Sequence, residues 1–162
     1  MIKNIALGLI LVCSLIACKS KEAFNYSEDF VKKEKSLEPS IEKTEKDLEA
    51  LIAEEKFDSV AIVAEQMESK VQAVLAEINT APAPDAEGGE KFKVDVKKYF
   101  EFIKSIYTNY KTYGKATNQE ARDVEIERLQ ALVARGEEVT KTMVAAQEVY
   151  AKANGFKLES SK

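Results

Sequence analysis

The chain has no histidine and no tryptophan, only two cysteines and three prolines, and no apolar run approaching the roughly 20 residues that span a bilayer. Without histidine, the Ser-His and Cys-His pairs of nucleophilic catalysis cannot form. Neither can the Glu-x-x-His sets by which helical bundles hold two iron ions. Gly88-Gly89 stands without the further glycines and the lysine–hydroxyl pair of a phosphate-cradling loop. An Asp-x-Asp-x-Asp-Gly calcium loop is also missing. Basic residues are not in excess: 24 Lys and Arg face 28 Asp and Glu, for a net charge of −4, which argues against a nucleic-acid binder. No segment sustains the period-two alternation of a half-buried strand, so no sheet is expected.

What is present begins at the N-terminus. Met1-Ile2-Lys3-Asn4 carries one positive side chain, Ile5 to Val12 is apolar, and small and apolar residues lead to Cys18. A basic start, a short apolar stretch and a small residue before the cut are the layout of a signal peptide. Leu15-Ile16-Ala17-Cys18 resembles the lipobox of bacterial lipoproteins, with leucine three residues before the cysteine and a small residue directly before it. The resemblance implies that Cys18 receives a diacylglyceryl group and that cleavage follows Ala17. It further implies acylation of the new amino group with a chain such as palmitate. Two or three acyl chains hold a protein firmly to a membrane, whereas one holds weakly. Cys13 would be discarded with residues 1–17, leaving a mature chain with neither a disulfide nor a cysteine zinc site. Loss of Lys3 would also make the charge one unit more negative.

The remaining residues are expected to form an all-α, four-helix up-down bundle. A polar tether over 18–26 leads to a helical domain over 27–155, and 156–162 is a C-terminal tail. The first helix is expected from about Ser27, as N-cap, to Glu54, with Phe30, Leu37, Ile41, Leu48 and Leu51 on one stripe and Pro39 either kinking or breaking it. The second runs from about Asp58 to Asn79, capped by Asp58 or Ser59. Residues 80–89 hold two of the prolines and Gly88-Gly89, and read as a mobile loop. The third helix runs from about Glu90 to Tyr113, with Gly114 as its stop. The fourth runs from Asn118 to Ala153; its Leu129, Leu132, Gly136, Val139, Met143, Ala146, Tyr150 and Ala153 step by three and four, the seam of helices crossing at about 20°.

Three constellations are candidates for chemistry. The carboxylates Glu42, Glu45, Asp47 and Glu49, and again Glu120, Asp123, Glu125 and Glu127, could act as acid and base. Both sets are interleaved with lysine or arginine, as solvated helix surfaces are. Tyr99, Phe102, Tyr107, Tyr110 and Tyr113 lie on the broad apolar face of the third helix. They read first as core facing small residues on the fourth helix, and alternatively as the wall of a ligand or partner groove. Lys93, Lys97, Lys104 and Lys111 form a line within residues 91–115, which carry seven lysines against Asp95 and Glu101. Complementarity to acidic neighbours is the first reading of that line, and contact with anionic head groups the second.

The whole chain is similar to a loosely defined class of short, helical, functionally uncharacterised lipoproteins of Gram-negative bacteria, which implies no particular activity. Lys19-Ser20 lacks the aspartate that retains lipoproteins at the inner membrane in enteric bacteria, so by analogy the periplasmic face of the outer membrane is expected, and the cell surface second. The expectation is a non-enzymatic envelope protein without cofactor that binds a protein partner or supports a structure. A carrier of a small apolar ligand comes second, and a carboxylate-only hydrolase of wall glycans third.

Overall fold

The computed structural model describes residues 10–13 and 18–160. Residues 1–9 and 14–17, which include Leu15, Ile16 and Ala17 of the lipobox, and residues 161–162 of the tail lie outside them. The architecture is a four-helix bundle of α1 (Cys18–Ala53), α2 (Phe57–Thr80), α3 (Gly89–Lys115) and α4 (Gln119–Ala153). Cross-links give the directions. Lys33 meets Glu77 while Lys70 meets Ser40, so α1 and α2 are antiparallel. Lys104 meets Gln72 while Lys93 reaches Ala81, which sets α3 antiparallel to α2. Asn109 meets Glu125 while Phe92 stacks on Tyr150, which sets α4 antiparallel to α3.

The core is assembled from the expected stripes. Leu48, Val60, Ala64, Met67, Val71, Phe92, Val96 and Phe100 are each no more than 2 % exposed. Burial of each large side chain among them contributes about 1.5–3 kcal/mol. The end of the bundle that holds Cys18 is closed by rings. Phe92 stacks on Tyr150 with centroids 4.3 Å apart, and Phe156 meets Tyr150 and Phe24 edge-on at 6.0 and 5.9 Å.

Several expectations are corrected. Residues 18–26 are not a tether but the opening turns of α1, and Ser27 is not its cap. Ala23 and Ser27 are fully buried, continuing the stripe with small residues that a hydrophobic pattern does not register. Of the two alternatives at Pro39 the break is excluded: α1 is one helix through it, with Leu37 and Ile41 buried on either side. The 81–88 connection makes long-range contacts with α1 and the end of α4. Asp85 N–H donates to Glu22, Glu87 O accepts from Asn154 Nδ2, and Pro84 is buried. Helix α2 starts after Lys56 without a side-chain cap, and Asp58 sits inside its first turn. Gly114 does not stop α3 but lies within it. A Cβ there would fall 2.5 Å from Ala61 N and 2.6 Å from Phe57 O, so glycine is what lets α2 and α3 touch. Asn118 does cap α4, accepting from Ala121 N–H at 2.8 Å.

The tail is also structured. Phe156 is buried, and β2 (Lys157–Ser160) pairs antiparallel with β1 (Ile10–Cys13), so one two-stranded ladder exists where no sheet was expected. Four-residue pairing rests on backbone hydrogen bonds and needs no alternating pattern to announce it. No helix among the described residues is long and apolar enough to cross a membrane.

Candidate functional site

The bundle is unevenly closed. Helix α3 packs along both α2 and α4, whereas α1 and α4 meet over a limited stretch. That stretch includes the buried bond from Gln147 Nε2 to Ser27 Oγ, 3.0 Å, near the Cys18 end. Farther from it, α4 seats loosely. Leu129, Leu132 and Val139 are only half-buried and Val124 and Ile126 are exposed. Its contact with α3 there is polar: Glu125, 7 % exposed, accepts from Asn109 Nδ2 at 2.7 Å and from Arg128 at 2.5 Å.

Two grooves result. The first, about 450 Å³, lies between α3 and α4 and is floored by Tyr99, Phe102, Leu132, Val139 and Met143. Gly136 sits below Phe102, as expected of a small residue facing a large one, but Ala153, expected on the same seam, is exposed. Lys98, Arg135 and Glu138 lie on its rim without ion-pair partners among the described residues, while Asp95 and Glu101 pair with Lys91 and Lys97. The second groove, about 550 Å³, runs along α1 past Glu42, Glu45, Lys46, Glu49, Ile52 and Ala53, and Tyr110 of α3 is its far wall.

The five aromatic candidates are therefore not one face. Tyr99 and Phe102 line the first groove, Tyr110 the second, and Tyr107 and Tyr113 line neither. Four of the five belong to the core: Tyr99, Tyr107, Tyr110 and Tyr113 are 3, 3, 7 and 8 % exposed. Burial and the charges of Glu45 and Glu49 push the Tyr110 phenol well above its usual range, and burial with Glu45 does the same to Tyr107. Both hydroxyls thus feel α1 carboxylates, yet neither makes a hydrogen bond among the described residues. Burial, with the neighbouring Glu42, in turn raises the carboxyl of Glu45.

The lysine line is turned toward α2. Lys93 donates to Ala81 O at 2.5 Å, covering carbonyls at the α2 C-terminus, and Lys104 donates to Gln72 at 2.7 Å. Lys111 pairs with Glu68, whose carboxyl, although burial opposes it, is held below its usual range by the bonds from Lys111 and Thr108. Lys97 pairs within α3 with Glu101 at 3.7 Å.

The sequence groups Glu42, Glu45 and Glu49 with Asp47 as an acid–base candidate and, because lysines are interleaved, favours a solvated helix face. The signal was angular: Glu42, Glu45 and Glu49 occupy only ~60° of the helix circumference, while Asp47 lies on another side. The chain matches no protein-family model, no curated protein and no solved structure.

Proposed function

We propose that the chain is a non-enzymatic, lipid-anchored protein of the bacterial cell envelope whose helical bundle serves as an interaction or structural module. The observation that carries this reading is the position of Cys18. It ends the Leu15-Ile16-Ala17-Cys18 lipobox and is also the first residue of α1. An acyl group on it would join the membrane to the bundle with no intervening linker. Helix α1 extends 36 residues from that point, ~54 Å, so the second groove would be held tens of ångströms from the bilayer. Cleavage after Ala17 would also separate β1 from β2. The periplasmic face of the outer membrane is the proposed location, because Lys19-Ser20 carries no inner-membrane retention aspartate. Fractionation of a Gram-negative host tests this. Wild-type protein is expected in the outer-membrane fraction and Cys18→Ala in the soluble periplasm; equal distribution of the two would contradict it.

A second reading, a binder of a small apolar ligand, is supported by the α3–α4 groove with its floor of Phe102, Leu132, Val139 and Met143. A groove of this volume is within the range of ligand sites. Titration with an apolar fluorescent dye is expected to show saturation that Val139→Trp, which fills the groove, abolishes. Dye binding unchanged by Val139→Trp would exclude it.

A further inference from the structure

The α1 groove carries an inference that does not depend on the lipid anchor. Its wall is three carboxylates, Glu42, Glu45 and Glu49, against the single cation Lys46. Among the described residues none of the four has a hydrogen bond or an ion-pair partner, a condition shared with Glu138 of the first groove, whereas Asp29, Asp47 and Glu68 are matched by lysines. Such a row alone would be a solvated helix face. What distinguishes it is Tyr110 on the opposite wall. Tyr110 is 7 % exposed, its hydroxyl lies in the field of Glu45 and Glu49, and that hydroxyl has no hydrogen-bond partner among the described residues. A phenol on the wall facing Glu45 and Glu49 adds a further polar atom for a group that brings several N–H donors.

The spacing selects among cations. Among the described residues no three carboxylates converge tightly enough to hold a metal ion. Glu42 and Glu49 are seven residues apart, ~10 Å along the helix, so the negative charge is a row rather than a point. The groove between is apolar at one end, where Ile52 and Ala53 lie. A matching ligand is long, flexible and aliphatic, with ammonium groups separated by methylene spacers. We infer that the groove formed by Glu42, Glu45, Glu49 and Tyr110 binds a linear aliphatic polyamine. The ammonium groups lie on the carboxylates and the Tyr110 oxygen, and the methylenes lie against Ile52, Ala53 and the tyrosine ring. Charge-assisted hydrogen bonds hold the ends, and apolar contact holds the stem.

Isothermal titration of the full chain in detergent micelles with spermidine tests the assignment. One saturable site is expected. Glu45→Gln and Glu49→Gln are each expected to weaken it about tenfold, equivalent to ~1.4 kcal/mol. Tyr110→Phe weakens it to a smaller extent, and Lys46→Gln, which removes the competing cation, tightens it. Glu137→Gln, on the exposed face of α4, is the control and leaves the affinity unchanged. Circular dichroism verifies that each variant is folded, and because Glu42, Glu45 and Glu49 are not in the core, their variants report even where Tyr110→Phe does not fold. Absence of saturable binding would overturn the inference. So would losses as large for Glu137→Gln as for Glu45→Gln, which would signal diffuse attraction to an acidic protein. Binding of an oligolysine peptide but not of spermidine would overturn it in favour of a protein partner.

Discussion

The phenol of Tyr99 on α3 donates a 2.6 Å hydrogen bond to Glu34 Oε1 on α1, and both residues are less than 5 % exposed. It is the one hydrogen bond to the Glu34 side chain among the described residues. Burial pushes the Glu34 carboxyl above its ordinary 4.5, outweighing the opposite pull of the Tyr99 bond. The folded state therefore binds that proton more tightly than the unfolded chain does. The stability this group contributes is full below the unfolded value of 4.5 and is lost as pH rises through the folded value. Glu34→Gln keeps an acceptor for Tyr99 but no charge, and is expected to raise stability at neutral pH by about 1 kcal/mol. Tyr99→Phe leaves a buried carboxylate without a donor and should lower it by about 1–3 kcal/mol. Urea unfolding across a pH series checks both, including the flattening of the acidic limb in Glu34→Gln.

The α2–α3 contact depends on Gly114. With backbone atoms of Ala61 and Phe57 at 2.5 and 2.6 Å from any added Cβ, Gly114→Ala must push the two helices apart. A loss of about 1–3 kcal/mol is expected in thermal or urea unfolding. Gly136→Ala provides the contrast: its Cβ would meet only Phe102, at an ordinary 3.9 Å. A mid-helix Gly→Ala change there should gain about 0.5–1 kcal/mol.

Polyamine binding should fall in acid. Glu45 has its carboxyl raised by burial and by Glu42 on its own helix, and it faces the phenols of Tyr107 and Tyr110 on α3. As pH drops through the raised range, Glu45 gains a proton and ceases to attract ammonium. Spermidine affinity measured at about pH 7 and about pH 5 should decline in wild type and decline less in Glu45→Gln. Equal decline in both would remove Glu45 from the site.

The lysine line should not adhere to anionic membranes. Each of Lys93, Lys97, Lys104 and Lys111 is already bonded within the bundle, Lys93 and Lys104 at 2.5 and 2.7 Å. The Cys18→Ala chain is expected not to co-sediment with anionic vesicles at low ionic strength. Salt-sensitive binding would show that these lysines reach a second partner.

The helices were legible because Phe30, Leu37, Ile41 and Leu48, and their counterparts on α2 and α3, repeat at helical spacing. The start of α1 was not, because Ala23 and Ser27 fill its stripe with residues too small or too polar to register. Pro39 was ambiguous because the energy that keeps a helix intact past a proline comes from tertiary burial, here of Leu37 and Ile41. The loop contacts and the strand pairing rest on Glu22–Asp85, Glu87–Asn154 and a backbone ladder, long-range partners that local composition does not encode. For the sites, Tyr110 was named but its glutamate neighbours were assigned to solvent. That juxtaposition depends on how α1 lies against α3, which neither helix determines alone.

The most direct test concerns Cys18. The protein is purified from membranes of a Gram-negative host grown with labelled palmitate, and its N-terminal peptide is weighed by mass spectrometry. The account predicts a chain beginning at Cys18 that carries acyl chains and label, and a Cys18→Ala form that folds as the wild type but is unlabelled. A wild-type chain that retains Met1 without lipid, or a Cys18→Ala form that still takes up palmitate, would contradict it.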